Sequence, residues 1–186
     1  MLNICNVSGG YEVDFIELVQ TRQSVRNFQT KDIEQDRLNK ILELTNKAPS
    51  AGNLQAYKIV VVRDPVTREA LSVASFNKPF IRQAPVSLVF CADTNISKER
   101  FGERGEHLYS LQDATIAATY CQLAITALGL ASIWAGAFDN AAVSKVIKTP
   151  TGVYPVAIIS LGIPDETPEQ KPRRKLAETL VIERFK

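Results

Sequence analysis

SLQDATIAATYCQLAITALGLASIWAGAF, residues 110–138, is the stretch on which the fold turns. From Ala114 to Phe138 it carries no charged residue, and an apolar segment of that length would span a bilayer. Thr115, Thr119, Gln122, Thr126 and Ser132 interrupt the apolarity, and Gly129 breaks it. A buried helix followed by a buried strand fits better, because such elements are apolar on every side. The expectation is a long helix over 110–128, Gly129 as its left-handed cap, and a short strand over 131–134.

Upstream, residues 11–21 read as a first helix with Phe15, Leu18 and Val19 on one face. Residues 21–29 read as a polar, basic loop. A second helix, 33–47, carries Ile33, Leu38, Ile41, Leu42 and Leu44 and ends at Ala48-Pro49-Ser50-Ala51-Gly52-Asn53. Residues 57–62 and 85–92 are β-branched and apolar, hence buried strands, with a helix over 66–75 between them. Residues 95–107 are charged, include Gly102 and Gly105, and are expected to form a mobile excursion. Downstream, 140–147 reads as a helix and 153–161 as a strand. Pro164, Pro168 and Pro172 then impose an extended path, with 176–182 as a last helix turn or strand. The order implies an α+β fold: a mixed central sheet flanked by helices, one domain over 1–186, with an extended C-terminal arm over 163–186. The arm has little core of its own and is expected to pack on a neighbour or a second protomer.

The composition, 45% hydrophobic and 23% charged, is that of an ordinary globular chain of 186 residues. A net charge of +2 is too small for a nucleic-acid partner, which requires a basic stripe. Cys5, Cys91 and Cys121 show no CxxC spacing, and with the single His107 they argue against a zinc site or a disulfide scaffold. A reducing cytoplasm follows. Cys121 is expected to be inert core and His107 a surface residue. The N-terminus lacks the basic start and apolar stretch of a secretion signal, and no membrane association is expected.

Chemistry concentrates in three polar clusters. In Thr21-Arg22-Gln23-Ser24-Val25-Arg26-Asn27-Phe28, extended backbone would put Arg22, Ser24 and Arg26 on one side. Two guanidiniums and a hydroxyl there make a clamp for phosphate or carboxylate; a solvated loop is the alternative. In Pro49-Ser50-Ala51-Gly52-Asn53-Leu54-Gln55, small residues permit close approach of a flat ligand, and Ser50, Asn53 and Gln55 offer hydrogen bonds. In Gly162-Ile163-Pro164 through Lys171-Pro172-Arg173-Arg174, prolines hold cations in place. There is no GxSxG, HExxH, P-loop or GxGxxG. A chain without an evident acid, base or nucleophile borrows its chemistry from a cofactor, here a phosphorylated one with a flat ring.

These clusters, with Ala127-Leu128-Gly129-Leu130 between them, resemble the FMN-dependent nitroreductase family in order and spacing from about Phe15 to Leu180. The resemblance implies an intertwined homodimer with FMN at the interface and NADH or NADPH as co-substrate. It places Arg22 and Ser24 at the phosphate and ribityl chain, Gln23 among the cofactor-binding residues and Arg26 near the pyrimidine edge. Pro49, Ser50, Ala51 and Asn53 would reach the flavin from the other subunit. Trp134, Ala135, Gly136 and Ala137 would line the ring, with Gly136 or Ala137 N–H near N5, and Asn77 would touch it. Arg173, with Lys171 or Arg174, would complete the phosphate site. Hydride would pass from NAD(P)H through flavin N5 to nitroaromatics, quinones or similar small acceptors by a ping-pong mechanism, with no dedicated catalytic side chain and no metal. Alternatives are flavin destruction or dehalogenation on the same fold, or flavin binding without turnover. Two positions depart from the family: Ala56-Tyr57 stands where many members have Pro-Trp, and Gly136 where many have an acid.

Overall fold

The computed structural model describes residues 6–7, 10–11 and 13–185. Cys5 lies outside them. Two short strands, β1 (Asn6–Val7) and β2 (Gly10–Tyr11), pair antiparallel, so the first helix begins later than expected. That helix, α1 (Phe15–Thr21), starts where Asp14 Oδ1 accepts from Glu17 N at 2.9 Å. Of its apolar residues only Leu18 is buried, while Phe15, Ile16 and Val19 are 67%, 64% and 50% exposed. The expected inward face is therefore uncovered in the single chain.

Helix α2 (Gln35–Thr45) buries Leu38 and Ile41, while Leu44 turns to solvent. Strand β3 (Tyr57–Val62) leads into α3 (Pro65–Ala74), capped by Asp64. A short helix that the sequence reading lacked, α4 (Pro79–Gln83), precedes β4 (Val86–Asp93). Helix α5 (Thr94–Arg104), broken at Gly102, runs through a π-helical turn (Gly105–Tyr109) into α6 (Ser110–Ala127). The stretch expected to form a mobile excursion is thus helical. Its charged residues face solvent, whereas Thr94, Ser97 and Ser110 are buried and Phe101 meets Tyr109 edge-on at 5.3 Å.

The decisive segment resolves as helix then strand. Gly129 takes φ 69°, and the N–H groups of Gly129 and Leu130 donate to Thr126 O and Ile125 O at 2.9 and 3.0 Å. This closes α6 with paired capping bonds and turns the chain directly into β5 (Ala131–Ala135). Helix α7 (Asn140–Ile147) and strand β6 (Val153–Gly162) follow. No helix among the described residues is long and apolar enough to cross a membrane.

The central sheet has the order β3-β4-β6-β5, and every neighbouring pair is antiparallel. The α+β class holds, but the expected mixture of strand directions shrinks to one parallel bridge, Ser24 to Ser132. The reason is connectivity: β4 and β6 lie side by side although α5, the π-helical turn, α6, β5 and α7 separate them in sequence, and they run in opposite directions. All eight residues of β4 are buried. Alternation sends Leu88 and Phe90 to one face, under α2 and α6, and Val89 and Cys91 to the other, under α3, α4 and α7. Burial pushes the Cys91 thiol up to about 11 and the Cys121 thiol up to about 12, so both are inert packing residues.

Candidate functional site

Residues 22–28 run along the free edge of β5. Val25 N donates to Ser132 O at 3.1 Å, and Phe28 bridges Pro164 at the end of β6. Val25 and Phe28 are buried, which anchors the strip. Arg22 and Ser24 are left half-buried and Arg26 exposed. The strip is therefore extended, as the alternation predicts, and it is held by the sheet.

The C-terminal arm is rooted on the same strip. Gln29 N donates to Ile163 O at 3.0 Å and Asp165 N to Asn27 O at 2.9 Å. Glu166 closes the joint: Oε1 accepts from the backbone N–H of Arg26 and from that of Asn27 (3.2 Å), and Oε2 accepts from Asn27 Nδ2 at 2.6 Å. These bonds, the Arg26 N–H foremost, hold the Glu166 carboxyl below its ordinary value of 4.5. From this root the arm returns Arg173 to Arg22. Burial and then the Arg173 charge lower the Arg22 pKa from 12.5. Neither guanidinium has a side-chain hydrogen bond or a carboxylate partner among the described residues. Two like charges within electrostatic range and without a counter-charge suit an anion between them. Arg174 is used otherwise: it bonds Glu178 Oε2 and Glu178 O, both at 3.1 Å. Lys171 is exposed.

The other face of the site comes from the loop after β5. Ala135 is buried in the core and offers only backbone, whereas Gly136 and Ala137 are exposed. The Trp134 Nε1 lies 3.2 Å from where a Cβ on Gly136 would stand. Lys78 fastens this loop to the turn holding Asn77: its Nζ donates to Ser75 O at 3.1 Å and to Ala137 O. Phe76 and Asn77 both adopt left-handed backbone, with φ 59° and 57°. The Lys78 side chain thereby ties the turn that carries Asn77 to the 136–137 loop.

The Ser50–Gln55 turn is built separately. Gly52, Asn53 and Gln55 are left-handed at φ 55°, 59° and 46°, a conformation that costs a non-glycine residue roughly 1–2 kcal/mol. Asp113, 1% exposed at the start of α6, fixes it: Oδ1 accepts from Ala51 N at 2.9 Å and Oδ2 from Ala56 N at 3.2 Å. Ser50 Oγ accepts from Gln55 N at 3.0 Å, and Gln55 Nε2 donates to Asn53 Oδ1 at 2.9 Å. Pro49 is exposed and Ala51 half-buried. No hydrogen bond among the described residues joins this turn to Arg22 or Arg173.

The structure therefore sets Arg22 and Ser24 on one strip along β5 with Arg173 within electrostatic range of Arg22, ties the turn carrying Asn77 to residue 137 through Lys78, and builds Ser50–Asn53 as a separate turn. The sequence reading missed Asp113, Glu166 and Lys78. Counting 113, 117, 121 and 124 along the buried stripe of α6 would have flagged Asp113; the other two act across long separations that leave no local signal. A phosphorylated cofactor with a flat ring fits these residues. The unpaired guanidiniums of Arg22 and Arg173 suit a phosphate, and Gln23 Oε1, a buried acceptor on the residue after Arg22, has no hydrogen-bond partner. No group of His, Cys, Asp and Glu among the described residues is arranged to hold a metal.

Comparison with known proteins gives concordant findings. The model of the nitroreductase family matches residues 19–78 and 72–163. An FMN reductase (NADPH) of Bacillus subtilis is 29% identical over 171 residues, covering 85% of this chain and 69% of its own length. The solved structure of B. megaterium NfrA2 superposes with a TM-score of 0.86 at 27% identity, over 92% of this chain and 74% of that one. The NADPH:FMN oxidoreductase from Vibrio harveyi complexed with NAD+ superposes with a TM-score of 0.85 at 26% identity, over 92% and 77%.

Proposed function

The chain belongs to the nitroreductase family, and from that premise we infer that it is an FMN-dependent oxidoreductase taking a hydride from NADH or NADPH and delivering it to a nitroaromatic, quinone or similar small acceptor. The observation that carries this reading is that Arg173, from the far end of the chain, lies within electrostatic range of Arg22, with no carboxylate pairing either among the described residues. FMN, when bound, supplies the hydride relay between nicotinamide and acceptor. The protein supplies binding, orientation and charge.

Arg22 and Arg173 hold the phosphate, and Ser24 and Gln23 the chain that follows it. Arg26 offers a cation toward the pyrimidine edge, where reduced flavin gathers negative charge. Trp134, Gly136 and Ala137 form a wall, the last two exposed, and Lys78 ties the turn carrying Asn77 to it. Ser50 and Asn53, stiffened by Asp113, close the ring face from the second subunit of a homodimer. Exposed apolar residues support that pairing: Phe15, Ile16 and Val19 on α1, and Leu176 and Ile182 on the arm, the last two 70% and 86% exposed. The arm, 163–186, extends the single domain so that it embraces its twin. A small acceptor and the nicotinamide would take turns at one open face, giving ping-pong kinetics in the cytoplasm, with neither nucleic acid nor membrane as partner.

Anaerobic titration of the purified protein tests this. NADH or NADPH should bleach the flavin absorbance near 450 nm, about one equivalent per FMN, and menadione should restore it without oxygen. Oxygen-dependent loss of the flavin would redirect the reading to flavin destruction. Bleaching by neither nucleotide would leave a binding protein without turnover.

A further inference from the structure

Helix α5 closes onto the Ser50–Gln55 turn. A Cβ on Gly52 would stand 3.0 Å from Phe101 Cζ and 3.4 Å from Arg100 Nε. Arg100 lies 5.6 Å over the Phe101 ring, Phe101 meets Tyr109 at 5.3 Å with planes 83° apart, and Arg104 lies 5.5 Å over Tyr109. Arg104 Nε also donates to the Tyr109 hydroxyl at 3.0 Å. The four side chains make one connected plate bordering the turn.

Both arginines are exposed, and neither pairs with a carboxylate among the described residues. The acids of the same segment do not neutralise them: Glu106 bonds Lys98 at 2.7 Å, and Glu99 and Glu103 are exposed and bond neither guanidinium. Three basic residues (Lys98, Arg100, Arg104) and three acids (Glu99, Glu103, Glu106) balance formally along 94–109, so any preference for an anion comes from local placement. The rings supply that placement. A guanidinium stacked over an aromatic face is held in orientation while its terminal N–H donors stay open, which suits bidentate capture of a phosphate ester or carboxylate.

We propose that Arg100 and Arg104 form an anion-selective rim beside the ring face, and that the compound entering there carries a negative group these guanidiniums read. The inference deepens the flavoprotein reading and rests on it. The negative group has two sources, the ribose phosphate that distinguishes NADPH from NADH, or an acid group on the acceptor, and both present oxyanions to the same donors.

Calorimetric titration of the purified flavoprotein separates them. The probes are NADP+ against NAD+, and 4-nitrobenzoate against 4-nitrobenzamide, on wild type, R100Q/R104Q and R100K/R104K. In R100Q/R104Q the anionic probe of at least one pair should bind about tenfold more weakly, the loss of one charge-assisted contact, with its counterpart changed less than about twofold. R100K/R104K, which keeps the charge but loses the fork, should recover part of the loss. Selective loss of NADP+ assigns the rim to the ribose phosphate; selective loss of 4-nitrobenzoate assigns it to the acceptor. Equal losses within both pairs, or no loss in either, overturn the proposal. A protein that takes up no FMN would instead fail the flavoprotein reading, and NADP+ against NAD+ would still report on the guanidiniums.

Discussion

Replacing Glu166 with alanine weakens the joint between the two ends of the chain, leaving only its backbone bonds and the Gln29 side chain. Three bonds disappear at once: those from Arg26 N, Asn27 N and Asn27 Nδ2. A hydrogen bond to a charged group contributes about 1.5–3 kcal/mol when sheltered. Glu166 is only half-buried, so water recovers much of this and the net for all three is about 1–2 kcal/mol. That energy adds to the backbone bonds that keep the root of the arm on the Arg22–Phe28 strip, and so to the placing of Arg173 within reach of Arg22. The apoprotein of Glu166→Ala should bind FMN about 5–30-fold more weakly, read as quenching of FMN fluorescence, with a small drop in Tm. The pH dependence has a definite sign. The Glu166 pKa is depressed below 4.5, so its contribution is complete above 4.5 and fades only as pH falls through the lower folded value. Wild-type affinity should carry an acid limb below 4.5 that Glu166→Ala lacks. Unchanged FMN affinity and an unchanged acid limb in the variant would refute the reasoning.

Other substitutions probe other parts of the site. Arg22→Ala and Arg173→Ala should each weaken FMN about tenfold, and the double variant should fall short of the product, because one phosphate is shared; a fully multiplicative loss in a double-mutant cycle would separate them. Asp113→Ala strands the N–H groups of Ala51 and Ala56 and should cost about 2–4 kcal/mol, lowering Tm by about 5–12 °C in thermal unfolding; a shift under about 2 °C contradicts its role. Gly52→Ala, at φ 55° and 3.0 Å from Phe101, should cost about 1–2 kcal/mol, visible as a lower urea midpoint; a wild-type midpoint would mean the turn relaxes freely.

Much of the architecture was legible because it is written in local pattern. The charge-free run 114–138 gave helix and strand, with Gly129 between them, and α7 matched its expected span. Pattern misled where burial depends on something other than the chain itself. Phe15 and Val19 have the spacing of a core face yet lie exposed, since periodicity cannot say which molecule covers a face. Residues 95–107 carry the charge and glycine expected of a mobile excursion, yet they are helical, with Phe101 packed edge-on against Tyr109. Helix α4 is five residues long, too short for a period to show. At the site, the arginine-rich strip was visible, but its closure was not: Glu166 lies 140 residues from Arg26, and nothing local in either stretch announces the other.

The central claim is that Arg22 and Arg173 converge on one phosphate. Titrating the apoprotein with FMN and with riboflavin, which differ by that phosphate alone, measures it most directly. Wild type should favour FMN by about 100-fold or more, and the R22A/R173A variant should bring the two ligands within about fivefold. Equal binding of FMN and riboflavin by the wild-type protein would contradict the account.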